Sequence, residues 1–366
     1  MVKRKCATSF RAGRLLPSGA IHGDTVHAAD PPEGGKQALR NSVAHFKLIQ
    51  VGIGGMGNTW LNACAASDEV EYAALVEINP ATAEAQAAKH GLDRRLIFGS
   101  LEEALAAVRA DGVIVVTPPQ THRAISVAAM RAGMPVLSEK PLADTREAAE
   151  EIVRVSRETG VLHMVAQNYR YSRPVQTLKQ VLESGEFGTI GAVNVRFYRG
   201  PHFGGFREVM PYPLIMDMSI HHFDMLRFLL GMDPVGISGR SWNPSWSWFK
   251  GDASATVVID FDPVVATYSG TWCGQGGDTP WNGNWRFDCS QGVVLLEEDH
   301  VWTRRQAQER QEMPLVALPL AAQPYLLHEF VAAITTGQPP ATTCFDNFKS
   351  LQIVLDAIAA FGSRVG

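Results

Sequence analysis

The first regular element of the chain reads Phe46-Lys47-Leu48-Ile49-Gln50-Val51, and it runs directly into Gly52-Ile53-Gly54-Gly55-Met56-Gly57. The apolar run has the length of a buried strand, and residues 58–66 after the glycines have a helical pattern. Glycines between a strand and a helix let the backbone approach a pyrophosphate, whose charge the helix N-terminus stabilises. The context therefore predicts a dinucleotide-binding turn at residues 52–57, with a glycine-rich turn that binds no ligand as the alternative.

An acidic residue ends the next predicted strand. This strand covers residues 72–76, and Glu77 follows it, twenty residues after Gly57. A carboxylate at this point can accept hydrogen bonds from the hydroxyls of an adenosine ribose, which favours NAD over NADP. We therefore expect NAD as the cofactor, with NADP possible. A solvated acid at a strand end is the alternative for Glu77 alone.

Strand and helix alternate as far as residue 166. Further strands are predicted at residues 96–98, 113–116, 135–137 and 162–166, and helices at 80–90, 121–132 and 145–158, with one more helix that begins at Ser100. The strand at 113–116 is apolar throughout, which is typical of a parallel sheet covered on both faces. The sequence predicts an α/β protein whose N-terminal domain, residues 45–167, is a doubly wound Rossmann sheet.

Beyond residue 167 strands follow strands. They are predicted at residues 193–197, 255–261, 265–272, 285–289 and 293–297, with helices at 174–182, 214–230, 325–335 and 347–361. Alternating polar and apolar residues indicate a sheet with one buried and one open face. We predict that residues 168–366 form an α+β domain with a mainly antiparallel, open-faced sheet. Its helices lie on a single face, and the C-terminal helices pack back on the body.

The first 44 residues differ from the rest. Basic residues dominate the start of this segment, no acidic residue precedes Asp24, and a turn-rich run follows at residues 30–35. We interpret residues 1–44 as a loose extension. An organelle transit peptide and a start codon placed too early are the alternatives.

Composition argues against several classes of partner. The 366 residues are 46% hydrophobic and 19% charged with a formal net charge of -4, so no basic field would attract nucleic acid or an anionic membrane. No run approaches the roughly 18 apolar residues of a membrane span. The five cysteines are spread without a C-x-x-C pair, which indicates free thiols in a reducing compartment. We therefore expect a cytoplasmic protein.

Two loops at predicted strand ends carry residues suited to a ligand. Thr117-Pro118-Pro119-Gln120-Thr121-His122 follows the fourth strand, and Glu139-Lys140-Pro141 follows the fifth. Ligands of open α/β sheets bind at the carboxyl ends of the strands, so both loops should face the nicotinamide end of the cofactor. A partly desolvated lysine there is suited to hydrogen-bond or deprotonate a substrate hydroxyl. The alternatives are strand-terminating prolines, a helix-capping His122 and a surface Lys140.

A third group of candidates lies in the predicted helix at residues 214–230. Asp217, His221 and Asp224 are spaced i, i+4 and i+7, which places them on one face of an α-helix. A histidine flanked by carboxylates is a candidate acid–base pair, in which the acid orients the imidazole. Metal binding by the three side chains and a solvated helix face are the alternatives. His222, on another face, is expected to be structural.

Six tryptophans are concentrated in the second predicted domain, namely Trp242, Trp246, Trp248, Trp272, Trp281 and Trp285. We expect core or interface packing for most of them. Those flanked by glycine and asparagine, such as Trp281, are also suited to line a polyol pocket.

Together these motifs resemble the family of glucose-fructose oxidoreductase, inositol 2-dehydrogenase and MocA, from about Phe46 to the C-terminus. The marks, in order, are the glycine turn, Thr117-Pro118 with His122, the Glu139-Lys140-Pro141 triplet, and an Asp-x-x-x-His helix. The resemblance implies a Rossmann domain followed by an open-faced α/β domain whose sheet often forms an oligomer interface. A homo-oligomer, a dimer or tetramer, is therefore expected. The cofactor contacts would come from residues 52–57, Glu77, Thr117, Pro118, His122, Glu139 and Lys140.

The same resemblance implies roles in catalysis. Lys140 and His221 would act on the substrate hydroxyl, and Asp217 would hold the substrate. The stretch Asn168-Tyr169-Arg170 resembles one that often faces the substrate pocket. A departure lies just before Asp217, where many members have glycines and this chain has Pro211-Tyr212-Pro213-Leu214-Ile215-Met216. Local substrate contacts are therefore expected to differ.

These expectations combine into an NAD(P)-dependent dehydrogenase. It would move hydride between nicotinamide and a carbinol of a sugar, inositol or related polyol, with no metal, nucleic-acid or membrane partner. Two alternatives remain: hydrolysis of a glycoside assisted by tightly bound NAD, as the resemblance to a few relatives implies, and a non-catalytic regulator that binds nicotinamide.

Overall fold

The computed structural model describes residues 45–362, so the predicted extension at residues 1–44 lies outside the described residues. The first sheet consists of six parallel strands: β1 (Phe46–Val51), β2 (Val70–Val76), β3 (Ile97–Phe98), β4 (Gly112–Val115), β5 (Val136–Ser138) and β6 (His163–Val165). Their order is β3-β2-β1-β4-β5-β6, so the direction of winding reverses between β1 and β4. The predicted doubly wound sheet is confirmed.

Five helices connect these strands: α1 (Gly57–Ala65), α2 (Pro80–His90), α3 (Leu101–Ala107), α4 (Pro119–Arg131) and α5 (Arg146–Thr159). Local chemistry sets their ends. The Asn79 side chain accepts hydrogen bonds from the first amides of α2, and the helix ends at Gly91 with a φ of 62°, as predicted. Thr145 caps α5 in the same way, and Gly160 ends it. All four residues of β4 are buried because helices cover both faces of the sheet.

Eight strands form the second sheet: β7 (Ile190–Tyr198), β8 (Gly236–Trp242), β9 (Ser254–Asp260), β10 (Val265–Thr271), β11 (Asn284–Cys289), β12 (Gly292–Glu297), β13 (His300–Arg305) and β14 (Gln311–Met313). Their order is β14-β13-β12-β11-β7-β10-β9-β8. Of these described strands only β7 and β10 pair in parallel, so the mainly antiparallel prediction is confirmed. The sequence pattern does not predict β8, β13 or β14, because they lie at or next to the sheet edges and are largely polar.

The second sheet has one buried and one open face. Along β9, Ala255, Val257 and Ile259 are buried while the residues between them are exposed. Four further helices are α6 (Arg173–Glu183), α7 (Ile220–Leu230), α8 (Ala322–Thr336) and α9 (Cys344–Gly362). Helix α8 packs back on the first sheet, where Phe330 contacts Phe46 edge-on, as expected for the C-terminal part of the chain.

The tryptophans divide between core and surface. Trp272 and Trp285 are fully buried, whereas Trp246 is 62% exposed and Trp281 39% exposed. Among the described residues, no helix has the length and apolar character needed to cross a membrane.

The helix predicted at residues 214–230 is present, but its type and its exposure differ from the expectation. Residues Leu214–Ser219 form a π-helical turn, and only Ile220–Leu230 is α-helical. Nine of the eleven residues of α7 are buried, so no solvated stripe remains. The extra residue that a π-turn inserts changes the relative direction of side chains on either side of it.

Candidate active site

The glycine turn at residues 52–57 has a shape that only glycine permits at two positions. Gly52 has a φ of +92°, and a Cβ there would lie 2.3 Å from the Val116 carbonyl oxygen. A Cβ on Gly57 would lie 2.4 Å from the Gly52 carbonyl oxygen. Around Gly54 and Gly55 the space is open, with nothing closer than the Thr82 methyl at 3.5 Å. The turn therefore leaves a cradle of the kind a pyrophosphate fills, next to the N-terminus of α1.

A buried side chain holds this turn together from behind. The Gln50 amide donates to the carbonyl oxygens of Gly52 (2.9 Å) and Gly57 (3.0 Å). The Tyr72 hydroxyl donates in turn to the Gln50 side-chain oxygen at 2.5 Å. Sequence reasoning missed Gln50, since a polar residue in a strand gives no sign of its partners.

Glu77 lies at the same edge as the turn. Its carboxylate accepts hydrogen bonds from the amide of Ile53 at 3.3 Å and from the amide of Asn79 at 3.0 Å. Glu77 therefore lies next to the glycine turn. A carboxylate in this place fits an adenosine ribose.

Glu139 takes a different place from the one expected. Its side chain is buried and accepts hydrogen bonds from the Trp60 indole N–H (2.8 Å) and from the backbone amide of Lys140 (3.2 Å). Burial raises the pKa of this carboxyl group. Because Trp60 belongs to α1, Glu139 joins the glycine-turn helix to the loop that carries Lys140, and it acts by positioning that loop.

His122 also positions a loop instead of facing a cofactor. The ring is fully buried, with Nδ1 2.9 Å from the Pro141 carbonyl oxygen and Nε2 2.9 Å from the Thr117 carbonyl oxygen. Burial lowers the pKa of the imidazole. The expectation that His122 contacts the cofactor is wrong, because the ring is fully buried between the loops after β4 and β5, where the neutral imidazole donates its one N–H to one of these two carbonyl oxygens. Thr117 and Pro118 remain at the strand end, where the Thr121 hydroxyl donates to that of Thr117 at 2.7 Å.

Lys140 and Asp217 meet, although 77 positions separate them in the chain. The lysine Nζ lies 3.0 Å from Asp217 Oδ1 and donates to the Asp217 carbonyl oxygen at 2.8 Å. Both side chains are largely buried, at 16% and 14% exposure. Lys140 follows β5 at the carboxyl edge of the first sheet, so the pair lies at the edge where such sheets bind ligands.

A second cation, which sequence reasoning missed, binds the other oxygen of this carboxylate. The Arg207 Nε donates to Asp217 Oδ2 at 2.6 Å. Burial alone would raise the pKa of the Asp217 carboxyl group, but the positive charges of Lys140 and Arg207 lower it to about 2. Arg207 lies in the short 3₁₀ helix Gly205–Val209 with no motif around it, which is why the sequence carried no signal for it.

His221 lies beside this pair, stacked on Tyr169. The two ring centroids are 4.0 Å apart with an interplanar angle of 18°. The imidazole is 6% exposed, and its Nδ1 is buried without a hydrogen-bond partner among the described residues. Burial and the nearby Lys140 charge hold its pKa well below the usual value, so the ring is neutral at pH 7. Asn168 begins the short turn that carries Tyr169, and its amide donates to the Ala166 carbonyl oxygen.

Asp224 and Arg170 do not join the site. The Arg170 guanidinium is 4% exposed and binds Asp224 through Nε (2.5 Å) and Nη2 (2.6 Å), and Asp346 through Nη2 (2.7 Å). Two expectations are therefore corrected. Asp224 does not flank His221, because its oxygens are bound by Arg170 and by Ser350, and Arg170 does not face the substrate pocket, because its fork is occupied inside the protein.

The side chains of Asp217, His221 and Asp224 do not converge on one point, so the alternative that they bind a metal ion is not supported. Asp224 is directed away from the other two, and the described residues contain no group of three His, Cys, Asp or Glu side chains arranged to hold a metal ion. His222 has the structural role expected of it, since its Nε2 lies 3.1 Å from the Trp281 carbonyl oxygen and its Nδ1 3.4 Å from the Tyr268 hydroxyl.

The turn, the strand order and the cluster of Lys140, Asp217 and His221 define the class: an NAD-binding oxidoreductase of the Rossmann type. Family models agree. Residues 46–167 match the model of the oxidoreductase family with an NAD-binding Rossmann fold, and residues 175–295 match the Gfo/Idh/MocA C-terminal domain. The chain belongs to the Gfo/Idh/MocA oxidoreductase family, and the resemblance seen in the motifs is confirmed.

Individual relatives cover different shares of the chain. The uncharacterized protein y4oX of Sinorhizobium fredii is 28% identical over 86% of this chain and 92% of its own length. Inositol 2-dehydrogenase of Rhizobium meliloti is 29% identical over 57% of this chain and 58% of its own length. An oxidoreductase from Agrobacterium radiobacter, solved with NAD+, L-tartaric acid and magnesium, has a TM-score of 0.79 at 20% identity and covers 87% of this chain and 97% of its own. At that identity the structural likeness supports the fold.

Proposed function

We propose that this protein is a dehydrogenase that oxidises a carbinol of a sugar, inositol or related polyol, or reduces the corresponding carbonyl, at the site formed by Lys140, Asp217 and His221. The observation that carries the proposal is the contact of Lys140 Nζ with Asp217 Oδ1 at 3.0 Å, at the carboxyl edge of the nucleotide-binding sheet. Curated relatives named inositol 2-dehydrogenase, 1,5-anhydro-D-fructose reductase and D-apiose dehydrogenase support the substrate class.

The cradle at residues 52–57 fits a dinucleotide, because the space around Gly54 and Gly55 is open next to the N-terminus of α1. Glu77 would hold the adenosine ribose, and Thr117 and Pro118 border the nicotinamide end. When bound, NAD supplies the hydride acceptor for oxidation and, reduced, the hydride donor for reduction. Everything else that the reaction needs is proton movement and orientation at the substrate.

The protein's own residues supply that proton movement. In the reductive direction the Lys140 ammonium donates a proton to the substrate oxygen and is left as a neutral amine. In the oxidative direction that neutral amine, or the neutral His221, receives the hydroxyl proton. Asp217 keeps the lysine in one orientation through its side chain and its carbonyl oxygen. The same carboxylate has lone pairs left to accept a bond from a neighbouring substrate hydroxyl.

Location and assembly belong to the same proposal. Four cysteines in the described chain, Cys64, Cys273, Cys289 and Cys344, are free thiols, which suits a cytoplasmic protein. The open face of the second sheet exposes Val258 (37%) and Val265 (41%) on neighbouring strands, which supports a homo-oligomer that pairs through this face.

The test is substitution of the lysine. Lys140→Ala should reduce turnover of sugars and polyols by about 100-fold or more, while NADH binding, measured by fluorescence titration, stays close to that of wild type. Lys349→Ala, which removes an exposed lysine paired with Asp233, is the matched control and should leave both unchanged. Normal turnover in Lys140→Ala would refute the assignment. Cleavage of a glycoside without net NADH would select hydrolysis instead, and NAD binding without either reaction would select a regulator.

A further inference from the structure

The carboxylate of Asp217 is shared by two positively charged side chains. Lys140 and Arg207 are two cations that share one carboxylate, Asp217, whose two oxygens they occupy at 3.0 and 2.6 Å. His221 is neutral at pH 7 because burial lowers its pKa. Glu139 is the other carboxyl group near Lys140, but burial raises its pKa and its oxygens are bound by Trp60 and a backbone amide. Around Asp217, two cations are therefore paired with a single carboxylate in a largely buried place.

Arg207 also has hydrogen-bond donors to spare. A guanidinium has five N–H groups, and within residues 45–362 the hydrogen bond that Arg207 makes is the one from Nε to Asp217. Its side chain is 30% exposed, so the terminal nitrogens lie at the mouth of the site and not inside the core. A planar fork with free donors is the group that proteins use to bind carboxylates bidentately.

The segment around Arg207 holds the guanidinium in place. Its centre lies 5.3 Å from the Phe203 ring centroid and 4.7 Å from that of Phe206, and both rings are themselves exposed, at 43% and 51%. Glu208 fixes the turn, since its carboxylate accepts from the Gly204 amide at 2.8 Å and its carbonyl oxygen from the Lys250 amide at 2.8 Å. Arg207 is therefore oriented before any ligand arrives, which lowers the entropic cost of binding one.

We propose that Arg207 recognises a carboxylate on the substrate, so that the preferred substrate is an acidic polyol such as an aldonic or uronic acid. This inference rests on the proposed function, which it narrows. A carboxylate offers two coplanar oxygens that match the planar fork of Arg207, and its negative charge pairs with the second of the two cations that share Asp217. The terminal nitrogens of Arg207 bind the substrate carboxylate while its Nε remains hydrogen-bonded to Asp217. The Arg207 side chain thus links the bound carboxylate to the Lys140–Asp217 pair.

The experiment compares matched substrates with wild type and Arg207→Met. Each pair consists of a neutral sugar or polyol and the acid in which one CH2OH is a carboxylate, with the corresponding sugar phosphate as a third arm. Wild type should favour the acid by roughly 10-fold or more in kcat/KM, as expected for charge-assisted hydrogen bonds. Arg207→Met should lose most of this preference through a higher KM, and Arg207→Lys should keep part of it.

Arg154→Gln, which removes an exposed arginine of α5, is the control and should keep the full preference. Equal or better use of the neutral member by wild type would overturn the proposal, as would an unchanged preference in Arg207→Met or a stronger preference for the phosphate. Calorimetric titration of the NADH complex with the same acids tests carboxylate recognition separately from the proposed dehydrogenase function. Binding that depends on Arg207 without turnover of any alcohol would uphold carboxylate recognition and reject the proposed function.

Discussion

The glycine turn at residues 52–57 and the helical segment at residues 214–224 both show a regular spacing of distinctive residues, yet only the first spacing translates directly into structure. In the turn, Gly52 and Gly57 are required by nearby backbone atoms, such as the Val116 carbonyl oxygen beside Gly52. In the helical segment, Asp217 and Asp224 separate because a π-turn intervenes and Arg170 binds Asp224. A spacing of residues predicts structure reliably where it reflects backbone sterics, as in the glycine turn. Where it only places side chains on a helix face, their positions also depend on the helix type and on partners elsewhere in the chain.

The largest expected effect is on the free energy of unfolding. It should distinguish Asp224 from Asp217, although the sequence pattern placed both on one helix face. Asp224→Ala should lower the free energy of unfolding by about 3–5 kcal/mol, because it leaves the buried Arg170 guanidinium with a single carboxylate, Asp346. Asp217→Asn should lower turnover strongly and cost much less stability, since the cations it releases are partly hydrated. Urea unfolding and initial-rate measurements on both variants give the comparison.

One outcome would contradict the predicted difference between Asp224 and Asp217. Full stability in Asp224→Ala together with lost turnover would mean that Asp224 acts in the site after all. NADH binding serves as the control for both variants, because neither aspartate touches the glycine turn in the structure.

A smaller effect tests the steric account of the turn. Gly52→Ala should destabilise by about 2–4 kcal/mol, the sum of a left-handed φ and a clash with backbone. Gly133→Ala is matched, since Gly133 has a φ of +76° but open space around its Cβ position, and it should cost about 1–2 kcal/mol. Thermal unfolding of both, with and without NADH, measures the difference. Equal destabilisation would show that the contact with Val116 does not matter.

The third effect concerns pH and the buried His222. Burial lowers its pKa from 6.5 to about 4, with partial compensation by the bond to the Trp281 carbonyl oxygen. The unfolded chain therefore binds a proton that the folded chain does not, and stability present above pH 6.5 is lost as pH falls toward 4. The loss from this residue approaches about 3 kcal/mol. His222→Phe should flatten the dependence of unfolding free energy on pH between 6.5 and 4, and an unchanged slope would count against the assignment.

The sequence predicted the first sheet almost completely because most of its strands are short apolar runs, and because caps such as Gly91 mark the ends of the helices between them. It also predicted that Lys140 and Asp217 belong to one site, through the family resemblance and not through spacing. No sequence pattern indicates the roles of Arg207, Gln50 and Trp60, because they depend on single side-chain contacts, of which the one from Trp60 to Glu139 spans 79 positions. His122 was misassigned for the same reason: its position near a strand end was read correctly, but the two carbonyl oxygens that bind it come from different loops.

The most direct test of the central claim, that Lys140 and Asp217 act as one unit, is a double-mutant cycle on the rate of hydride transfer. Single-turnover formation of NADH would be followed in wild type, Lys140→Ala, Asp217→Asn and the double variant, with the best substrate from a screen of sugars, inositols and their acids. The account predicts that Asp217→Asn slows Lys140→Ala by much less than it slows wild type, because most of the effect of the carboxylate passes through the lysine. Multiplication of the two single losses in the double variant would contradict it.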